Sequence, residues 1–175
     1  MKIHSLLKVA AALGIICFYP SFGLQKESIY IKKISDGNYS MVLFNKAHQA
    51  VFEEEYPVEP TTEMLGSHLI QITLSLGSSN RYVFYYDIEN TRISEPYYNP
   101  VLSEGTNILY VDDEHRLIYQ DMFNASKMHR EFIRDFSETA VSSSAVYQAD
   151  IINNTLRIKY FKGPDLEEEE EEIQL

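Results

Sequence analysis

The stretch RYVFYYDIENTRISEPYYNP, residues 81–100, decides the fold. Its first part, Arg81 to Ile88, is dense in Tyr, Phe and Val, which suit a pleated, packed surface. Glu89-Asn90-Thr91 then reverses the chain, and Arg92 to Tyr98 reads as a second strand ended by Asn99-Pro100. Pro96 has no N–H to give a ladder, so this second strand is expected at an edge or with a bulge. Just upstream, HLIQITLSLG alternates with period two. Ile70, Ile72, Leu74 and Leu76 fall on one side and Leu69, Thr73 and Ser75 on the other, as in a half-buried strand. Gly77-Ser78-Ser79-Asn80 links the two runs as a turn. Together they predict a three-stranded antiparallel meander.

Echoes of this meander recur along the chain. Shifted by 42 residues, Phe44 falls on Tyr86, Asn45 on Asp87, Val51 on Ile93 and Tyr56 on Tyr98. A shift of 34 takes Tyr85 to Tyr119, Asp87 to Asp121, Ile88 to Met122 and Asn90 to Asn124. A further 41 takes Leu117 to Ile158 and Tyr119 to Tyr160. Four units follow: Ser28–Pro60, Met64–Pro100, Asn107–Phe136 and Ala145–Leu175. One meander cannot bury its own apolar face, but several packed together can. The expected fold is all-β, with repeated three-stranded meanders in a small propeller-like arrangement, and a β-sandwich as the alternative.

Two segments are ambiguous. DMFNASKMHREFIRDFS (121–137) has the three-to-four spacing of a helix, but the repeat requires a hairpin turning at Asn124-Ala125-Ser126. The run Glu167–Glu172 would repel itself as an acidic tail, yet it ends in Ile173-Gln174-Leu175. It reads alternatively as an edge strand after a Gly163-Pro164-Asp165 turn, its charges discouraging aggregation.

The first 23 residues have the order of a secretory signal: Lys2 and Lys8, an apolar core over 9–18, then small Ser21 and Gly23. Cleavage after Gly23 leaves a single domain over 24–175, and the apolar run falls short of the about 20 residues a span needs. The lone cysteine, Cys17, lies inside this segment, and Ile16 before it is not the small residue a lipid-anchored cysteine requires. The mature chain then has no disulfides and no thiol chemistry, so burial alone must hold it together. Its net charge moves from −11 to −13 when Lys2 and Lys8 are removed. Such acidity repels nucleic acid and anionic lipid, and suits solubility, cation binding or a basic protein partner.

The motifs carry little chemistry. VDDEHR (111–116) gathers Asp112, Asp113 and Glu114, but without the glycine or ligand spacing of a calcium loop it reads as a polar turn. His48, His68, His115 and His129 lack metal-ligand spacing, and neither LGSSN nor SSSAV fits a nucleophile elbow. No phosphate cradle is present, and no cofactor or metal is implied. Glu53, Glu54, Glu55, Glu95, Asp87 and Asp121 are too numerous for a catalytic pair to be read from sequence. Asp87 and Asp121 hold equivalent strand ends, the place of turn caps. The one candidate binding surface is aromatic: Tyr97 and Tyr98 in EPYYNP, with Tyr56 at the matching point of the preceding unit.

YYDIENTRISEPYYNP, ILYVDDEHRLIYQDMFNASKMHREFIRDFS and LRIKYFKGPDLEEEEEEIQL together resemble a family of uncharacterised secreted bacterial proteins. The shared pattern is a Y-x-D hairpin, an S-E-x-x-x-N-P strand end, an I-V-x-D-x-F strand, a D-F-S corner and a Y-x-x-G turn. It covers roughly residues 67–175, with Pro164 and the glutamate run as departures. The resemblance implies export from a bacterium and a β-rich fold, and carries no activity. The expected function is a non-enzymatic binding or structural module acting on a protein or glycan outside the cytoplasm. The alternatives are a carboxylate-based hydrolase and a calcium-dependent adhesion module.

Overall fold

The computed structural model describes residues 28–175 apart from 36, 78, 79, 133, 134, 140 and 141, so the expected signal segment lies outside the described residues. The fold is all-β. Fifteen strands are described, in four antiparallel sheets that follow one another along the chain. The first sheet is β1 (Ile29–Ser35), β2 (Asn38–Phe44) and β3 (Ala50–Tyr56). The second holds β4 (Thr61–Leu65), β5 (Leu69–Ser75), β6 (Arg81–Asp87), β7 (Arg92–Ile93) and β8 (Tyr97–Tyr98). The third is β9 (Leu102–Glu104), β10 (Asn107–Val111), β11 (Leu117–Asp121) and β12 (His129–Phe132). The fourth is β13 (Val146–Ile152), β14 (Thr155–Lys162) and β15 (Glu167–Gln174).

The repeated meanders are therefore present, with extra strands in the inner two units. The expected third strand of the second unit is broken at Ser94-Glu95-Pro96. Both pieces, β7 and β8, still pair with β6, as the missing N–H of Pro96 dictates. The expected hairpin is present over residues 121–132, where the chain turns back from β11 into β12 and forms no helix. Asp121 accepts from the amides of Phe123 and Asn124, and Asn124 accepts from that of Ser126, fixing the reversal into β12.

Successive sheets pack face to face, and each seam has its own apolar core. Met41 and Leu43 of the first sheet meet Ile70, Ile72, Phe84 and Tyr86 of the second. Leu69, Val83, Tyr85 and Tyr97 of the second meet Ile108 and Met122 of the third. Leu109, Val111, Leu117 and Tyr119 of the third meet Val146, Leu156 and Ile158 of the fourth. None of these cores contains residues of both the first and fourth sheets. The central strands β6 and β11 of the inner sheets are thus covered on both faces, while β4 and β12 stay largely exposed. In β5 the period-two reading holds at Ile70 and Ile72, which are buried, and at Ser75, which is exposed, while Leu69, 4% exposed, departs from it by entering the next seam. A fully buried aliphatic side chain contributes about 1.5–3 kcal/mol by leaving water, so these seams replace the disulfides the chain lacks.

Side chains with hydroxyls stitch the seams. The phenol of buried Tyr86 donates to the Phe44 carbonyl of the first sheet (2.9 Å), and that of Tyr97 to the Met122 carbonyl of the third (3.0 Å). Both carbonyls stand next to a strand end, where the ladder leaves an acceptor free.

The glutamate run is an ordered edge strand. β15 pairs with β14 from Thr155↔Gln174 to Lys162↔Glu167. Glutamate is a poor strand former, and three cross-strand cations offset this: Arg157–Glu172 at 2.8 Å, Lys159–Glu170 at 3.8 Å and Lys162–Glu169 at 3.8 Å. Ile173 and Leu175 pack against the core between the third and fourth sheets, which explains the apolar ending of an acidic run.

Candidate functional site

The seam between the second and third sheets opens into a cleft of about 780 Å³. One wall is the broken edge of the second sheet, from Ile93 to Tyr98, together with Tyr82. The other wall comes from both ends of β11: the turn 112–116 before it and the turn 121–125 after it, with Tyr110 beside them. The interruption at Pro96 makes the opening, because the residues between β7 and β8 leave the ladder there.

The turn after β10 is built around Asp112. One carboxylate oxygen accepts from the amides of Glu114 (3.0 Å) and Arg116 (2.8 Å). The other accepts from the Arg116 guanidinium at 2.9 and 2.7 Å. Arg116 also reaches Glu114 and Glu131, each at 3.2 Å. Burial alone would raise the Asp112 carboxyl. The Arg116 side chain and the turn amides outweigh it and hold the group below its ordinary value. His115 takes a left-handed backbone (φ 61°) to close the turn.

The turn after β11 repeats that logic. Asp121 is 3% exposed. Besides two amides it accepts from Thr106 (3.2 Å) and Lys127 (3.3 Å). Again burial pushes its carboxyl up, and the bonds from Phe123, Lys127 and Thr106 pull it lower still, below the ordinary range. Asp87, at the end of β6, is the same device. It accepts from the amides of Glu89 and Asn90, from the Asn90 side chain, and from Arg92 at 2.8 Å. Against the upward push of burial, these bonds hold it at about 2. The Arg92 guanidinium also lies 4.6 Å from the centre of the Phe123 ring, clamping the second sheet to the third beside the cleft.

The three aromatic candidates separate. Tyr97 is in the core: 6% exposed, its oxygen bonded to the Met122 carbonyl and accepting from Gln120 at 3.3 Å. Its ring meets Tyr110 edge-on at 5.0 Å. Burial pushes the phenol up, and that of Tyr110 up to about 12, so both keep their protons. Tyr98 is half-buried, packs against Tyr82 with ring centres 5.3 Å apart and tilted by 55°, and lines the cleft. Tyr56 lies elsewhere, on β3, packed against Phe84 at 6.3 Å in the seam between the first and second sheets, its hydroxyl donating to Glu54. Tyr56 and Tyr98 hold matching places in the repeat, but only Tyr98 stands at an open seam. Sequence reading passed over Tyr82, Tyr110 and Asp113 as cleft residues. The only available signal was their proximity to EPYYNP across the sheets, which periodicity does not reveal.

Asp112 and Asp121 are both held below their ordinary values and bonded into turns, the opposite of the raised carboxyl that a glycosidase acid needs. Among the described residues, no group of three or more His, Cys, Asp or Glu side chains is placed to hold a metal ion. His129 is bonded to Gln120 and Glu131 at 2.8 and 3.0 Å. No described helix is long and apolar enough to cross a membrane. Comparison with protein-family models gave no match, and comparison with curated proteins gave none either.

Proposed function

We propose that this chain is an exported, non-catalytic binding module, and that its ligand, a protein or a glycan outside the cytoplasm, occupies the cleft between the second and third sheets. The observation that carries this reading is the division of labour among the cleft residues. The bonded carboxylates, Asp112 and Asp121, are turn scaffold. The Tyr98–Tyr82 pair is half-buried at the opening, where amphipathic rings serve as contact surface. The export element rests on the charge, apolar and small-residue order of the first 23 residues.

A pull-down from the source organism's envelope and medium tests it, comparing the parent protein with a Tyr82→Ala, Tyr98→Ala variant. Tyr97 is left intact because it holds the seam. Loss of one specific partner in the variant supports the cleft; equal recovery of every partner removes it.

A further inference from the structure

We infer that the cleft takes a cationic ligand: an extended basic segment of a protein, with a lysine or arginine side chain set against the Tyr98–Tyr82 rings and drawn to the carboxylates of Glu95 and Asp113. This rests on the cleft being the binding site proposed above and adds the ligand's charge.

Five acidic residues line the cleft, Glu95, Asp112, Asp113, Glu114 and Asp121, against one basic residue, Arg116. Three of the five are already committed. Asp112 and Glu114 hold Arg116, and Asp121 holds Lys127, Thr106 and its turn amides. Glu95 and Asp113 are exposed, and among the described residues neither side chain has a hydrogen bond or an ion pair. They stand on opposite walls, Glu95 in the interruption between β7 and β8 and Asp113 in the turn after β10, and β8 lies against β10. A concave wall of one sign focuses its field and draws in counter-charge.

The rings favour the same ligand. A cation over an aromatic face is attracted by the ring quadrupole, and more so where water is partly excluded. Beside the cleft the chain already uses this pairing on itself: Arg92 sits over Phe123 while bonded to Asp87. Tyr98 and Tyr82 offer rings with no cation of the chain's own over them among the described contacts. A neutral oligosaccharide would instead have to desolvate Glu95 and Asp113 without compensating charge. The lining spans both ends of the five-residue β11, which at about 3.3 Å per residue matches a peptide of about five extended residues.

The test is calorimetric titration of the full chain with pentalysine, an uncharged Gly-Ser pentapeptide and chitopentaose, at low and at physiological ionic strength. Pentalysine alone is expected to bind, and more weakly as salt rises. A Glu95→Gln, Asp113→Asn variant is expected to lose roughly tenfold in affinity while melting as the parent does, since both side chains are exposed and unbonded. A Glu168→Gln, Glu170→Gln, Glu172→Gln variant controls for attraction to the acidic edge strand and is expected to bind unchanged. Equal binding by the cleft variant, or loss in the edge-strand variant, overturns the inference. Binding of chitopentaose without pentalysine also overturns it but leaves the cleft as a binding site. Binding of none of the three overturns it too, and the Tyr82, Tyr98 pull-down then decides the broader reading separately.

Discussion

The turn that ends β6 and the turn that ends β11 are the same device built with different strengths. Asp87 and Asp121 each occupy the last position of a strand, are each almost wholly buried, and each accept from two amides of the following turn. The difference is the cation. Asp87 meets Arg92 at 2.8 Å, and that guanidinium is itself seated on Phe123. Asp121 meets Lys127 at 3.3 Å, on a side chain 69% exposed. A planar fork held at both its edge and its face is pre-organised in a way that a flexible ammonium in water is not. One turn therefore locks two sheets together, and the other stays within the third sheet, tying its hairpin to Thr106 of the neighbouring turn.

The largest expected effect is removal of the carboxylates. Asp87→Ala leaves two amides and a guanidinium without their acceptor and should cost about 3 kcal/mol; Asp121→Ala should cost about 2 kcal/mol. Urea unfolding of both variants gives the order, and a larger loss at Asp121 would break the comparison. Next comes pH. Because the folded carboxyl of Asp87 is depressed to about 2 from an ordinary 3.8, its stabilisation is fully present above pH 4 and is lost as pH falls from there toward 2. Roughly 2 kcal/mol is involved, so the stability gap between the parent and Asp87→Asn should close across that window. A gap that stays constant with pH would mean the charge contributes nothing.

Smaller effects separate the cations. Arg92→Leu should cost about 1–2 kcal/mol and Lys127→Leu no more than about 0.5 kcal/mol, since an exposed ammonium is largely screened. A double-mutant cycle of Arg92 with Phe123 should return a coupling of about 0.5–1 kcal/mol, and zero coupling would reduce the clamp to a plain ion pair. The smallest effect belongs to Asn45, the third member of the series, which accepts from the amides of Ala47 and Gln49 at 2.9 and 3.0 Å in an exposed turn. Asn45→Ala should cost about 0.5–1 kcal/mol, read as a shift in melting temperature.

That series was visible in the sequence. The offsets of 42 and 34 placed Asn45, Asp87 and Asp121 in register, and all three cap the turn after a central strand. Turn chemistry is local, so a short pattern records it. The offset of 41 to the fourth unit fares differently. It lays Tyr119 on Tyr160, both of which sit at the seam between the third and fourth sheets. Yet Tyr119 faces onward along the chain and Tyr160 faces back. The fourth sheet buries Val146, Leu156 and Ile158 against the third, so its buried side is the one that looks back. Direction of facing is a tertiary property that residue type does not encode. The cleft was half legible for the same reason. Tyr98 and the Pro96 interruption could be read from EPYYNP, but that their partners would be Tyr110 and the Asp112–Glu114 turn depends on how two sheets cross. The glutamate strand needed its cross-strand cations, Arg157 and Lys159, to be seen as ordered.

Among the described residues the buried apolar clusters follow chain order, each joining one sheet to the next. Such a molecule behaves as a short linear array, with cooperativity passed along nearest-neighbour contacts. Amide exchange should be slowest in β6 and β11, which sit in doubly covered layers, and should quicken outward to β1 and β15, so the central clamp at Arg92 would be the last link to let go and the two terminal layers the first to peel away.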